Sequence, residues 1–360
     1  MLRKILFFIL ILTSGILSAQ RVIPFEDFNN YFRTFENGTF RQLEFQRIKE
    51  FKAGDEFVAY IDNRGNLRVY NGVERQDISN MNVNYEVSDH LMAYSIGPTL
   101  NLWDEGKLRT LTYFAQNFAV RDSIVVFEDT RFKTVCVYYN KEIKQFLQLT
   151  GDVSMPQAIG DNIVAFKDNG NYFKILYRGE VFELGVWNGT IDFQAGCDII
   201  CFNDPTTRTF AVFDKGQFLD VEQFWIKKYK AGRGFIVYED LGGNLMYYKD
   251  GEKHQLSNFG AGSWDVKDDI VYWTENTFAY ALQNGKKVQL GNVIPKDYLI
   301  KNNVIAFRNV MGGVSALVDG EIVELTNQMD AEYEIFGNSV LVKLFNKSFI
   351  VYSDGKKYQT

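Results

Sequence analysis

Apolar residues in this chain come in short bursts with polar turns between them, and one arrangement keeps returning: an aromatic, one residue, a small or aliphatic residue, a polar turn, then three apolar residues closed by a second aromatic. Phe51, Ala53 and Tyr60 spell it first. Tyr85, Val87 and Tyr94 follow, then Phe118, Val120 and Phe127, with later copies at Phe193, Tyr229, Trp264 and Tyr298. Two copies are degenerate: Gln157 stands for the first aromatic before Ile159 and Phe166, and Lys343 for the last one after Tyr333 and Ile335. The copies recur about every 35 residues, roughly nine times up to the C-terminus, a spacing typical of stacked supersecondary units.

The copy from Ser263 to Asn292 predicts four strands. Trp264 to Val266 and Ile270 to Trp273 flank a polar turn, and Phe278 to Leu282 and Lys287 to Leu290 flank Asn284-Gly285. A two-residue hairpin needs positive φ, which Asn-Gly and Asp-Gly supply. The same signal stands at Asn37-Gly38, Asn71-Gly72, Asp250-Gly251, Asp319-Gly320 and Asp354-Gly355, with Lys141-Glu142 as a degenerate member. Second strands such as Ile163 to Phe166 and Phe235 to Tyr238 are apolar at every position, so both of their faces must be buried. Sheets packed face to face around a ring supply that burial.

The expectation is therefore an all-β fold, a β-propeller of four-stranded antiparallel blades with eight or nine repeats and no helix beyond about two turns. An open superhelical array is the alternative. A leading half-unit, Tyr31 to Phe35 and Phe40 to Phe45, does not fit the count. It either joins the last blade around Ser348 to Gln359 or packs as an appendage.

Before the repeats, Met1 to Lys4 is basic, Ile5 to Leu12 is apolar, and small residues lead to Ala19-Gln20. This reads as a secretory signal peptide over residues 1–20, since the apolar run is too short to span a bilayer. Residues 21–360 then form a single propeller domain, exported and without a transmembrane segment once the signal is removed. Aromatics at 16% suit strands. A net charge of −6 argues against nucleic-acid partners, which need a basic footprint. Cys136, Cys197 and Cys201 are expected to be free buried thiols, with a Cys197–Cys201 bridge as the alternative.

Chemistry is harder to find. His90 and His254 are far apart and are read as surface-turn residues, and no Cys/His cluster has metal-ligand spacing, so no metal or cofactor is expected. The Asp62-Asn63-Arg64-Gly65 turn lacks the ligand alternation of a calcium loop. There is no Gly-x-Ser-x-Gly elbow for a nucleophile. Acidic residues crowd the turns, so a carboxylate pair for glycan hydrolysis stays open. Three glycosylation sequons, at Asn37, Asn188 and Asn346, carry little weight, because two of them coincide with hairpin turns. The largest connection, Lys141 to Gln157, is a candidate contact loop. Trp103, Phe114, Trp187, Phe224 and Trp225 break the repeat register, and Trp187 and Trp225 are the candidate binding residues.

The order of aromatic, small residue, turn, apolar triplet, Asp/Gly turn and Gly hairpin resembles the TolB-like and WD40-like β-propeller repeats of the bacterial envelope. The chain lacks the Gly-His pairs of true WD40 blades, and Trp103-Asp104 and Trp264-Asp265 fall at unlike points of the repeat. The profile is also similar to the periplasmic plug subunit of the type 9 translocon. That resemblance implies a non-catalytic, periplasmic interaction subunit whose partner is an envelope protein or outer-membrane complex, in protein transport. The alternatives are a carbohydrate-active or glycan-binding propeller and a small-ligand or peptide binder.

Overall fold

The computed structural model describes residues 22–150, 155–156 and 158–360. The expected signal peptide and the degenerate Gln157 lie outside the described residues. Ten antiparallel sheets follow one another along the chain, nine of them four-stranded and the first three-stranded. They are numbered here as blades 1 (residues 23–44), 2 (50–79), 3 (84–112), 4 (115–148), 5 (158–187), 6 (194–222), 7 (229–255), 8 (264–291), 9 (298–326) and 10 (332–359). No helix occurs among the described residues. Within blades 2–10 the strands are lettered a to d in chain order; blade 1 has only b, c and d.

The core is divided among the seams. Ten apolar clusters each join two neighbouring blades, from Phe32 with Tyr60 and Tyr70 at the first seam to Tyr333 and Val342 with Val314 at the ninth. The tenth joins Ile23, Phe25 and Phe35 of blade 1 to Leu341, Phe349 and Val351 of blade 10, and so closes a ring. Burial of the b strands on both faces follows directly: Ile163, Val164, Ala165 and Phe166 are all buried, as are Ile236, Val237 and Tyr238.

The expected propeller is a closed ring, which sets aside the open-array alternative, and two expectations are corrected. The ring has ten blades rather than eight or nine. The half-unit neither joins the last blade nor hangs free. An unforeseen strand, Ile23–Glu26, pairs with Phe32–Glu36 and makes the hairpin a blade of its own. Pro24 in that strand has no N–H to donate, which suits a strand paired on one side only.

The c–d hairpins adopt the expected geometry, with Asn284 at φ 50° and Gly285 at φ 76°. Two differ. The reversal in blade 4 is Asn140-Lys141, both at positive φ and with no glycine, rather than Lys141-Glu142. In blade 2 the loop runs over Asn71–Glu74, and the Asn71 side-chain oxygen accepts the N–H groups of Val73 and Glu74.

Because successive strands alternate in direction, the a–b and c–d turns all lie on one side of the ring, called here the turn face. The b–c turns and the d–a links between blades lie on the other, the crossover face.

Candidate functional site

Around the axis of the turn face the a–b turns form an inner polar ring. Each turn is knitted to the next. The Asp122 carboxylate accepts the N–H of Asp89 at 3.0 Å, and Asp161 accepts the N–H of Asp122 at 2.7 Å. Asp268 does the same for Asn302 at 2.8 Å. The abundant turn carboxylates thus satisfy backbone donors of adjacent blades, which free amides on a ring of this curvature would otherwise leave unpaired.

Contacts also cross the ring. Lys301 of blade 9 lies 3.8 Å from Asp55 of blade 2 and 3.5 Å from Asp89 of blade 3, while Asn302 donates to Asp55 at 2.7 Å. Arg233 of blade 7 lies 3.8 Å from Asp122 of blade 4. Burial pushes the Asp55 carboxyl up to about 7, helped by the charge of Asp89 and opposed by Lys301. Burial likewise raises Asp161 to about 7, with Asp122 adding to it. A small cavity of about 210 Å³ lies beside these groups, lined by Arg121, Asp161, Cys197 and Arg233 among others. Carboxylates therefore do come together: Asp122 and Asp161 accept backbone amides and Asp55 the Asn302 side-chain amide, with Lys301 and Arg233 nearby, and one buried Asp55 oxygen has no hydrogen-bond partner among the described residues. Among the described residues no group of three His, Cys, Asp or Glu side chains could hold a metal ion.

The crossover face has different chemistry. Trp187 ends strand d of blade 5, is 62% exposed, and donates its indole N–H to the Gly170 carbonyl at 3.1 Å. Trp225 follows strand d of blade 6, is 54% exposed, and donates to the Asp204 carbonyl at 3.1 Å. Both rings fold back onto the b–c turn of their own blade, so the two residues that look irregular in sequence occupy equivalent places in adjacent blades. A cleft of about 910 Å³ opens between blades 5 and 6 beside Trp187's turn, lined by Met155, Phe166, Asp168, Phe173 and Phe193 among others. The expected long connection over Lys141–Gln157 is largely strand, Glu142–Gln148 being strand d of blade 4; Thr150 and Met155 of the link that follows it border the cleft.

The other sequence candidates separate. Trp103 is buried between blades 2 and 3, its indole N–H bonded to Gln76, and Phe224 packs between blades 6 and 7. Phe114 stays exposed under the Arg131 guanidinium. His90 is exposed in an a–b turn, whereas His254 belongs to the outer strand of blade 7 rather than to a turn. All three cysteines are free; Cys136 and Cys201 are buried, but Cys197 is only half-buried. The Asp-led b–c turns are built by their own carboxylates, Asp62 accepting the N–H groups of Arg64 and Asn66 and Asp168 those of Gly170 and Tyr172.

Residues 16–358 match the family model of a 10-bladed beta propeller domain. No curated relative matches the chain. Among solved structures it is similar to the computationally designed Ika8 protein, at 14% identity over 94% of this chain and 99% of that one, with a TM-score of 0.37. Apo AztD from Citrobacter koseri is 7% identical over 86% of this chain and 95% of that one, with a TM-score of 0.35. PorZ, a bacterial surface component of the type-IX secretion system of Porphyromonas gingivalis, is 9% identical over 95% of this chain and 59% of that one, with a TM-score of 0.29.

Proposed function

The chain belongs to the 10-bladed β-propeller domain family, and on that scaffold we propose that it is a non-catalytic docking module of the bacterial envelope. In this reading it is exported to the periplasm and serves an outer-membrane complex, with protein translocation as the process. Its partner contacts are centred on Trp187 and Trp225.

One observation carries the reading: the clustered carboxylates and the exposed aromatics lie on opposite faces of the ring. Asp55, Asp89, Asp122 and Asp161 surround the axis of the turn face, while Trp187 and Trp225 stand on the crossover face. A sugar-cleaving site needs both at one funnel, with two carboxyls flanking the bond and aromatic platforms beneath the ring. Docking needs only the aromatics, which are favoured anchors of protein contact.

The test is a pull-down from envelope extract with the intact protein. Trp187→Ala and Trp225→Ala are expected to lose a stoichiometric envelope protein that the Asp55→Asn, Asp89→Asn double variant retains. Glycan hydrolysis that disappears in the double Asn variant would overturn the proposal.

A further inference from the structure

The two faces of the ring differ in more than their tryptophans. Phe45, Met81, Phe132, Trp225, Phe259 and Phe345 all lie in crossover-face connections, and each is more than half exposed. They fall in sectors all the way round, from the link between blades 1 and 2 to the b–c turn of blade 10. Among the described residues, Val73 is the one exposed large apolar side chain in the connections of the turn face. Single exposed apolar residues are ordinary on a protein surface, and some stand in the outer strands beside the hairpins, Leu108 and Phe218 among them, but the connections of the two faces differ sharply in how many they carry.

Charge follows the same division. Arg47 stands two residues after Phe45, Arg131 and Lys133 flank Phe132, Lys227 follows Trp225 by two residues, and Lys347 follows Phe345 by two, all exposed. Asp192, Asp297 and Asp330 are the exposed acids in the described crossover-face connections. Asp62, Asp168, Asp204 and Asp240 are turned inward to cap backbone amides of their own turns. The chain as a whole carries −6, so a face where exposed bases outnumber exposed acids runs against its overall charge. The acids are instead concentrated on the turn face, in Asp55, Asp89, Asp122, Asp161 and the Asp-Gly hairpins.

We infer that the crossover face lies on an anionic lipid bilayer, with the apolar tips entering the headgroup layer and the flanking Arg and Lys side chains on the lipid phosphates. The choice of face rests on the docking reading above, and the bilayer takes the place on that face given there to a protein. Apolar and aromatic tips with neighbouring bases are what an interfacial membrane contact requires, since the stems bury while the charges stay at headgroup level. The tips surround the whole ring, and a protein interface of standard size covers only about 800 Å² on each side. A flat, laterally continuous surface meets them all at once. A second copy placed face to face would set base against base, and the charge pattern disfavours it.

The inference is tested by flotation of the exported chain with vesicles of phosphatidylglycerol and phosphatidylcholine, against phosphatidylcholine alone. Binding to the anionic vesicles, weakened by salt and accompanied by a blue shift of tryptophan emission, is the expected result. Trp187 and Trp225 report most directly, because Trp103 and Trp273 are already buried and Trp264 is half-buried with its indole N–H bonded to Glu239. Lys227→Glu with Lys347→Glu, and separately Phe45→Ser with Phe345→Ser, are expected to weaken vesicle binding at least about tenfold with unchanged melting, whereas Val73→Ser leaves it intact.

Absence of flotation with anionic vesicles, or equal flotation of the charge-reversed variant, overturns the inference. If vesicles fail while the tryptophan variants still lose a protein in the pull-down, docking stands and its partner is a protein. If neither assay depends on the tryptophan face, both readings fall. Self-association that the same variants abolish, seen by light scattering without vesicle binding, also overturns it.

Discussion

Between blades 10 and 1, Phe25 meets Phe349 at 4.5 Å between ring centroids and Phe35 meets Tyr358 at 4.8 Å; among the described residues no backbone hydrogen bond joins the two sheets. Between blades 5, 6 and 7 the backbone itself is bridged. The N–H of Asp161 reaches the Gly196 carbonyl at 3.1 Å, and that of Cys197 reaches the Gly232 carbonyl, also at 3.1 Å. Such contact is possible because Gly160, Gly196 and Gly232 open three successive a–b turns. A Cβ on Gly160 would come within 2.0 Å of the Gly196 carbonyl oxygen, and one on Gly196 within 2.1 Å of that of Gly232. The ring is thus held in two ways, by backbone steps near the axis from blade 5 to blade 9 and again between blades 2 and 3, and by side-chain packing alone at the closure. A defect at the closure should change the shape of the molecule, and a defect in the stepped arc should change only its stability.

The largest effect is expected where packing is lost without regard to either device. Val164 is fully buried between blades 4 and 5, and Val164→Asp places an unpaired carboxylate there. Destabilisation beyond about 4 kcal/mol is expected. Unchanged thermal unfolding would show that strand to be peripheral.

Phe349→Ala comes next, at about 3–5 kcal/mol for a truncated buried aromatic. Its distinctive outcome is opening of the ring, read as a larger radius of gyration in small-angle scattering and faster proteolysis near the seam. A melting shift with constant dimensions would mean that the closure is held elsewhere.

Gly196→Ala is expected to cost about 1–3 kcal/mol through the forced shift of the blade 7 turn, with the radius of gyration unchanged. Equal stability to the parent would remove the stepped arc as a distinct device.

The smallest effect is a pH dependence that belongs to the axis alone. Asp55 and Asp161 titrate near 7 in the folded ring against an ordinary value of 3.8. Between those limits the folded chain holds protons that the unfolded chain releases, so their contribution to stability is present at low pH and lost as pH rises through about 7. Asp62 and Asp168, held below the usual carboxylate range by backbone N–H bonds and a neighbouring cation, act in the opposite sense but only in more acid solution. Melting should therefore be higher near about pH 5 than near pH 8, and Asp55→Asn should narrow the difference. A flat profile in the parent protein would exclude this.

Much of the architecture is legible in the sequence because it is written in local terms. Asn-Gly hairpins alternating with wholly apolar b strands are enough to locate nine of the sheets. Blade 1 escapes because Ile23–Glu26 is short and contains a proline, so it does not show the repeat's signature. Ring closure escapes for a different reason: Phe25, Phe35 and Phe349 look like any other aromatic until their partners are known. At the candidate site, Trp187 and Trp225 stand out in sequence, but their equivalence depends on hydrogen bonds to turns some twenty residues away. The carboxylates around the axis cannot be ranked from sequence at all, because Asp55 and Lys301 meet only across the assembled ring.

The separateness of the two terminal blades bears on how such a chain can change its length. In blades 1 and 10 every strand comes from one end of the chain, so neither sheet borrows a strand from the other. A duplication that added a whole repeat at either end, or a deletion that removed one, would leave no orphaned half-sheet. The newcomer would need an apolar face on each side and an a–b turn that continues the steps near the axis. The number of repeats in this architecture is then free to drift over generations, one gene segment at a time, with circumference rather than fold as the trait under selection.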